Sequence, residues 1–144
     1  MAQKICQLCT VDFTLYHLLH PLMRALRDAG HEVVGVCADG DLVRHVRDDG
    51  FRIETVPLAR SANPARNWRS GRALRNLFRR EAFDIVHVHT PVAALVGRLA
   101  AASTRVPRVV YTAHGFYFHE NMPFPQRQAH IVAEWVGGRF TNTL

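Results

Sequence analysis

The chain has 144 residues, 48% of them hydrophobic, and a formal charge of +6 with Lys4 as its one lysine. That length holds one domain with a sizeable core, and no run reaches the roughly 18 apolar residues of a membrane span. The basic balance suits phosphates or anionic lipid, while the absence of zinc-finger spacing, RNA-binding aromatics or a helix-turn-helix argues against nucleic acid.

Met1-Ala2-Gln3-Lys4 leads into a strand-like run without the apolar core of a signal peptide, so a cytoplasmic protein is expected. Lys4–Cys9 reads as the first strand. Leu15, Leu18, Leu19, Leu22, Met23 and Leu26 follow at helical spacing. Pro21 either opens the main part of that helix or kinks it, and Gly30 closes it. Glu32–Ala38 is a second strand and Asp39-Gly40 a turn. Leu42, Val43 and Val46 give a short helix ended by Gly50, and Phe51–Leu58 gives a third strand. Arg60–Asn67 is polar and loop-like, and a helix is expected from about Ala65 to Arg80. Asp84–His89 is a fourth strand, Pro91–Ala102 a helix of small residues, and Arg108–Ala113 a fifth strand. Pro125–Val136 is a last helix, with Phe140–Leu144 opening a sixth strand. This alternation predicts an α/β fold: a Rossmann-like, doubly wound parallel sheet in the order 3-2-1-4-5.

Cys6-x-x-Cys9 has the spacing of a redox motif, but residues three apart on a strand face opposite sides. Buried apolar cysteines are expected instead, with Cys37 as the third. The loop after the first strand, Thr10-Val11-Asp12-Phe13-Thr14, contains no glycine. It therefore lacks the Gly-x-Gly-x-x-Gly cradle of a nicotinamide enzyme. Thr10, Asp12 and Thr14 either cap the next helix or face a ligand.

The fourth and fifth strands both end in histidine, in His87-Val88-His89-Thr90-Pro91 and Tyr111-Thr112-Ala113-His114-Gly115. Ligands bind outside the carboxyl ends of such strands. His87 and His89 share one strand face and are either structural or the start of a zinc site. His114 beside Gly115 is the foremost ligand-contact candidate, because imidazole donates, accepts and titrates near neutrality. On the long helix, Arg66, Arg69, Arg72, Arg75, Arg79 and Arg80 fall in one half of the wheel, opposite Leu74, Leu77 and Phe78. With Trp68 among them, they form either a solvated face or a contact for anionic lipid heads.

These residues resemble the amino-terminal domain of family 4 glycosyltransferases. The resemblance rests on His87–Pro91, Gly97-Arg98-Leu99-Ala100-Ala101, Pro107 and Tyr111–Phe116. Ala29-Gly30-His31-Glu32-Val33 and Pro57-Leu58-Ala59-Arg60-Ser61 add to it. It covers nearly the whole chain, and its flavour is that of bacterial enzymes assembling surface polysaccharide on a lipid carrier. It implies the front half of a GT-B fold, with two Rossmann-like domains facing a cleft, and retaining transfer without a metal. The co-substrate would be a nucleotide sugar and the acceptor a lipid-linked saccharide. His114 matches the family histidine near the donor sugar, and Thr10, Val11, Asp12 and Phe13 the loop facing the donor diphosphate. Thr90, Gly115 and Glu120 complete the expected substrate-facing set. Many members carry glycines in the first loop, and this chain departs there.

The family's rear domain carries the glutamates and basic residues that hold the donor, and no counterpart follows Phe140. The chain is thus expected to be one wall of a cleft, incomplete as a catalyst without a rear domain or split partner chain. Two other readings stand beside it: a non-catalytic lipid- or partner-binding module, and a metal-dependent hydrolase using His87, His89 and His114.

Overall fold

The computed structural model describes residues 1–60, 63–115 and 121–143. Five parallel strands form one sheet in the order β3-β2-β1-β4-β5: β1 Lys4–Leu8, β2 Glu32–Cys37, β3 Arg52–Thr55, β4 Ile85–His89 and β5 Arg108–Thr112. This is the expected order. The start of a sixth strand is also present, since Thr143 bridges Val110 in parallel and accepts a hydrogen bond from Tyr111 N at 2.9 Å.

The helices cover the two faces unequally. On one face Cys6, Leu8, Val34, Val36, Val86 and Val88 pack under α4 (Pro64–Glu81) and α5 (Pro91–Thr104). On the other, Cys9, Val33, Cys37 and Ile53 pack under the first helical stretch and α3 (Val43–Asp48). Cys6 and Cys9 thus sit in different clusters on opposite faces, and burial raises all three thiols far above the usual thiol range. Gly97 lets α5 approach the sheet closely: a Cβ there would fall 2.5 Å from Leu8 Cδ2.

Local details differ from the expected boundaries for identifiable reasons. Pro21 lies in the first turn of the main helix, as the first of the two expectations had it. The chain runs from α1 (Asp12–Thr14) through a π-helical segment, Leu15–Leu19, into α2 (His20–Asp28). A proline ring clashes with the carbonyl four residues back, here that of His17, and the wider π turn accommodates it. Strand β3 stops at Thr55, before Pro57 removes a ladder donor. Helix α4 starts at Pro64, inside the expected loop, because Asn63 caps it by accepting from Ala65 N and Arg66 N.

Helix α6 (Phe124–Gly138) buries only Gly137 of its own residues and leaves Phe124, Val132 and Trp135 exposed. Polar contacts tie it down. The fully buried Arg98 donates to Ala94 O and to Glu134 Oε2, both at 3.0 Å, and stacks over Tyr111, whose hydroxyl donates to Glu134 Oε1.

Candidate functional site at the carboxyl edge of the sheet

Strands β1 and β4 are neighbours, yet the chain leaves them in opposite directions, from β1 toward β2 and from β4 toward β5. Such a reversal opens a crevice at the carboxyl ends. Thr10 and Thr90 join the two strand ends there. Thr10 N donates to Thr90 Oγ1 at 3.1 Å, the two hydroxyls lie 2.7 Å apart, and Thr90 Oγ1 donates to His89 O at 2.5 Å. Because that last bond uses the Thr90 hydroxyl hydrogen, the Thr10 hydroxyl is the donor between them.

Thr90 holds φ 64° and ψ 133° while its carbonyl accepts the first bond of α5, from Ala94 N. Positive φ is costly for a β-branched residue, and such strain persists only where the surroundings over-determine it. The lock to Thr10 is that surrounding. Neither Thr10 nor Asp12 caps the helix after β1, where Val11 holds the cap position with no side-chain bond. Asp12 instead accepts from Phe13 N and Leu42 N, and a Cβ at Gly40 would collide with its carboxylate. The first loop is thereby tied to the loop after β2. Phe13 projects with 57% of its surface exposed, its ring 4.3 Å from that of His17.

Beside this junction stands a histidine cluster. His89, buried, has Nε2 2.8 Å from Gln7 Oε1 and Nδ1 3.1 Å from His114 Nε2. His87 Nε2 lies 2.8 Å from Thr112 Oγ1, and its ring is 4.0 Å from that of His89. Burial pushes His89 down to about 3, with repulsion from His87 and then His114 adding to it. His87 falls to about 4, again through burial first and His114 second. Both are neutral at pH 7. His114 is exposed at the end of β5, beside Gly115 at φ 148°.

The zinc arrangement weighed for His87, His89 and His114 is not formed. Among the described residues no three His, Cys, Asp or Glu side chains are placed to hold a metal ion, and Gln7 and His114 occupy both nitrogens of His89.

Thr10, Val11, Asp12, Phe13, Thr90, His114 and Gly115 therefore come together on one rim, whereas Glu120 lies outside the described residues. Gln7 and Thr112 are the partners that reasoning from sequence missed. Gln7 had a visible signal, a polar residue inside the apolar run Ile5–Cys9, since buried polar side chains exist to be bonded.

The arginines of α4 lie away from the rim. Arg66, Arg69, Arg72, Arg75 and Arg79 are exposed and form no ion pair among the described residues. Arg80 differs from the expected stripe, because it pairs with Glu54 and Glu81. Trp68, 75% exposed, stands among the free arginines. Between α4 and α5 runs a groove of about 860 Å³, with Trp68, Arg72, Arg75 and Arg79 on one wall and Leu95 and Leu99 on the other. Asn67, Leu95 and Val96 also line a second groove of about 350 Å³, which reaches Pro91 and Val92 next to Thr90.

The profile of Glycosyltransferase Family 4 matches residues 18–144. The chain belongs to glycosyltransferase family 4. EpsD of Bacillus subtilis (strain 168) is 36% identical over 127 residues, covering 85% of this chain and 32% of EpsD. An Escherichia coli UDP-Gal:alpha-D-GlcNAc-diphosphoundecaprenol alpha-1,3-galactosyltransferase is 31% identical over 102 residues, covering 70% of this chain and 26% of that protein. This family 4 chain thus spans about a third or less of these relatives. The crystal structure of a glycosyltransferase from Rickettsia africae ESF-5 superimposes with a TM-score of 0.67 at 18% identity, over 90% of this chain and 33% of that one. Such a likeness speaks for the fold, one Rossmann-like half of a GT-B architecture.

Proposed function

We propose that this chain is the acceptor-side domain of a retaining glycosyltransferase. The enzyme would move a sugar from a nucleotide-sugar donor to a lipid-linked saccharide during surface-polysaccharide assembly. The observation that carries the reading is the rim at the β1/β4 reversal, where Thr10 is bonded to Thr90 and His114 to the neighbouring His89. The E. coli relative's name pairs a UDP-sugar with a diphosphoundecaprenol acceptor, which supports the substrate class.

Glycosyl transfer needs charge stabilisation at the leaving diphosphate and at the sugar carbon, best supplied by groups already fixed in place. It also needs donor and acceptor held together. On this reading a second domain holds the nucleotide, and His114 contacts the donor sugar across the cleft. The first loop, with Thr10–Phe13, faces the diphosphate. Thr90 and Gly115 shape the edge of the crevice, with Glu120 beyond them in the chain. No metal or other cofactor is assigned a part.

The grooves along α5 give the acceptor its path. One begins beside Pro91 and Val92 and lies between α5 and α6; the other, which shares Asn67, Leu95 and Val96 with it, runs between apolar α5 and the arginines of α4. Phosphate-bearing lipid heads suit the arginines, and Trp68 suits a membrane interface. The chain would then sit peripherally on the cytoplasmic face of the membrane; no helix among the described residues is long and apolar enough to cross it.

Two measurements test this in an enzyme containing the chain and its donor domain. His114→Ala should reduce turnover by roughly 100-fold, the scale for losing one preorganised polar group, and wild-type turnover would remove His114 from the reaction. Arg72→Glu with Arg75→Glu should abolish sedimentation with vesicles containing anionic lipid. Undiminished sedimentation would remove α4 from the membrane contact.

A further inference from the structure

We infer that Gln7 and His89 form a buried relay that fixes the tautomer and ring orientation of His114, making both of them positioning residues. Gln7 is fully buried on a central strand, directly opposite His87 in the ladder and on the same sheet face as His89. A fully buried amide inside an apolar strand is costly unless bonded, so its contacts say why it is there.

Its oxygen lies 2.8 Å from His89 Nε2. A carbonyl oxygen only accepts, so His89 Nε2 carries the hydrogen. Burial keeps the His89 ring neutral, and a neutral imidazole has one bare nitrogen. That nitrogen is Nδ1, which faces His114 Nε2 at 3.1 Å. His114 Nε2 must therefore donate, and Nδ1 is the His114 nitrogen left to meet a ligand. His87 braces the arrangement from the side, held by Thr112.

Among the described residues Gln7 Nε2 has no partner. Turning the amide over would only exchange one orphan atom for the other, while reversing every hydrogen bond in the relay. The two orientations differ chemically. With the oxygen on His89, His114 can take a second proton at Nδ1 and keep its bond to His89. In the reverse arrangement His114 Nε2 must stay bare, so a protonated His114 would lose its anchor. Only the first arrangement lets the ring present either a lone pair or a positive charge to a ligand from one fixed position.

The relay itself stands independently of the proposed function; its effect on turnover rests on that reading. The test is long-range ¹H–¹⁵N spectroscopy of the histidine rings in the full chain. His89 should show a protonated Nε2 and a bare Nδ1 that persist through the range where free histidine titrates, near 6.5. His114 should carry hydrogen at Nε2. Gln7→Leu, apolar and similar in size, should let His114 redistribute between tautomers. Gln7→Glu, an anion against His89 Nε2, should favour a charged His89 that donates from Nδ1 as well, leaving His114 Nε2 bare. Wild-type His114 with Nδ1–H and a bare Nε2 would overturn the relay, as would a Gln7→Leu chain whose His114 tautomer is unchanged. In the complete enzyme Gln7→Leu should lower kcat roughly tenfold or more through misorientation, with little change in the donor KM. A relay present in the spectra with kcat unmoved would uphold the relay and refute the placement of His114 in the reaction.

Discussion

Replacing Glu134 by alanine tests what holds α6 to the rest of the domain. Helix α6 buries little of its own surface, so the charged contact with Arg98 carries its docking. The Arg98 guanidinium is 1% exposed and would keep only Ala94 O and the Tyr111 face. Removing one partner of a buried pair costs about 3–5 kcal/mol. The Glu134 side chain is one-fifth exposed, so water can partly replace it and the low end, about 3 kcal/mol, applies. Losing the acceptor for the Tyr111 hydroxyl adds about 1 kcal/mol. Urea unfolding should then show a midpoint lowered by roughly 1.3–4 M at the slopes usual for small domains. Glu134→Gln keeps an acceptor oxygen and should lose less. Combining Glu134→Ala with Arg98→Met removes both charges and should recover most of the loss. A single variant within about 0.5 kcal/mol of wild type, the usual range for surface changes, would refute the argument. So would a double variant equal to the sum of the two singles.

Gly97→Ala places a methyl 2.5 Å from Leu8 Cδ2 and 3.0 Å from Val88 Cγ1. Overpacking of about 1–3 kcal/mol should outweigh the helix-propensity gain of about 1 kcal/mol and lower Tm, which a calorimetric scan reads; an unchanged Tm would mean the contact yields freely. Acid should destabilise the chain in two stages. His87 and His89 have folded values depressed to about 4 and about 3, so the unfolded chain binds protons first and stability falls as pH drops from about 6.5. Glu81 is held well below the carboxylate range by Arg52, Lys4 and Arg80, so its contribution is present above its ordinary value of 4.5 and is lost as pH falls below it. Urea midpoints measured against pH should slope down through both windows, and Glu81→Gln should flatten the lower one. A flat profile between about 6.5 and 4.5 would contradict buried neutral histidines.

The sheet was legible because its signals are local. Apolar runs broken by turn residues and alternating with helical spacing led to the strand order, and the two strands ending in histidine located the rim. Cys6 and Cys9 could be placed on opposite faces from strand geometry alone. What escaped was long-range or stereochemical. The Thr10–Thr90 lock joins residues 80 positions apart, and nothing in either loop announces it. Capping was a reasonable expectation for Thr10 and Asp12, yet both side chains turned to other loops instead. Pro21 did mark the start of the main helix, but the π segment just before it leaves no mark in the residue pattern. Arg80 matched the basic stripe by angle, but the buried Glu81 beside it draws it into an ion pair.

The rim and the basic helix make different demands on the fold, and the structure separates them. At the rim, the locking groups are buried or half-buried: Thr10 with Thr90, and Gln7 with His89. Their bonds link the β1, β4 and β5 ends, so the crevice is set before any ligand arrives, which is what electrostatic stabilisation requires. On α4 the reverse holds. Arg66, Arg69, Arg72, Arg75 and Arg79 are exposed on long side chains and form no ion pair among the described residues, which suits a surface that must accept many lipid arrangements. Among the described residues the rim and the grooves come closest at the start of α5, where Thr90 belongs to the rim and Pro91 and Val92 open the groove between α5 and α6. An acceptor with its saccharide on the rim and its lipid along α5 would pass from one to the other at Thr90, the residue held at φ 64°. The backbone strain therefore sits where the two functions must be kept in fixed register.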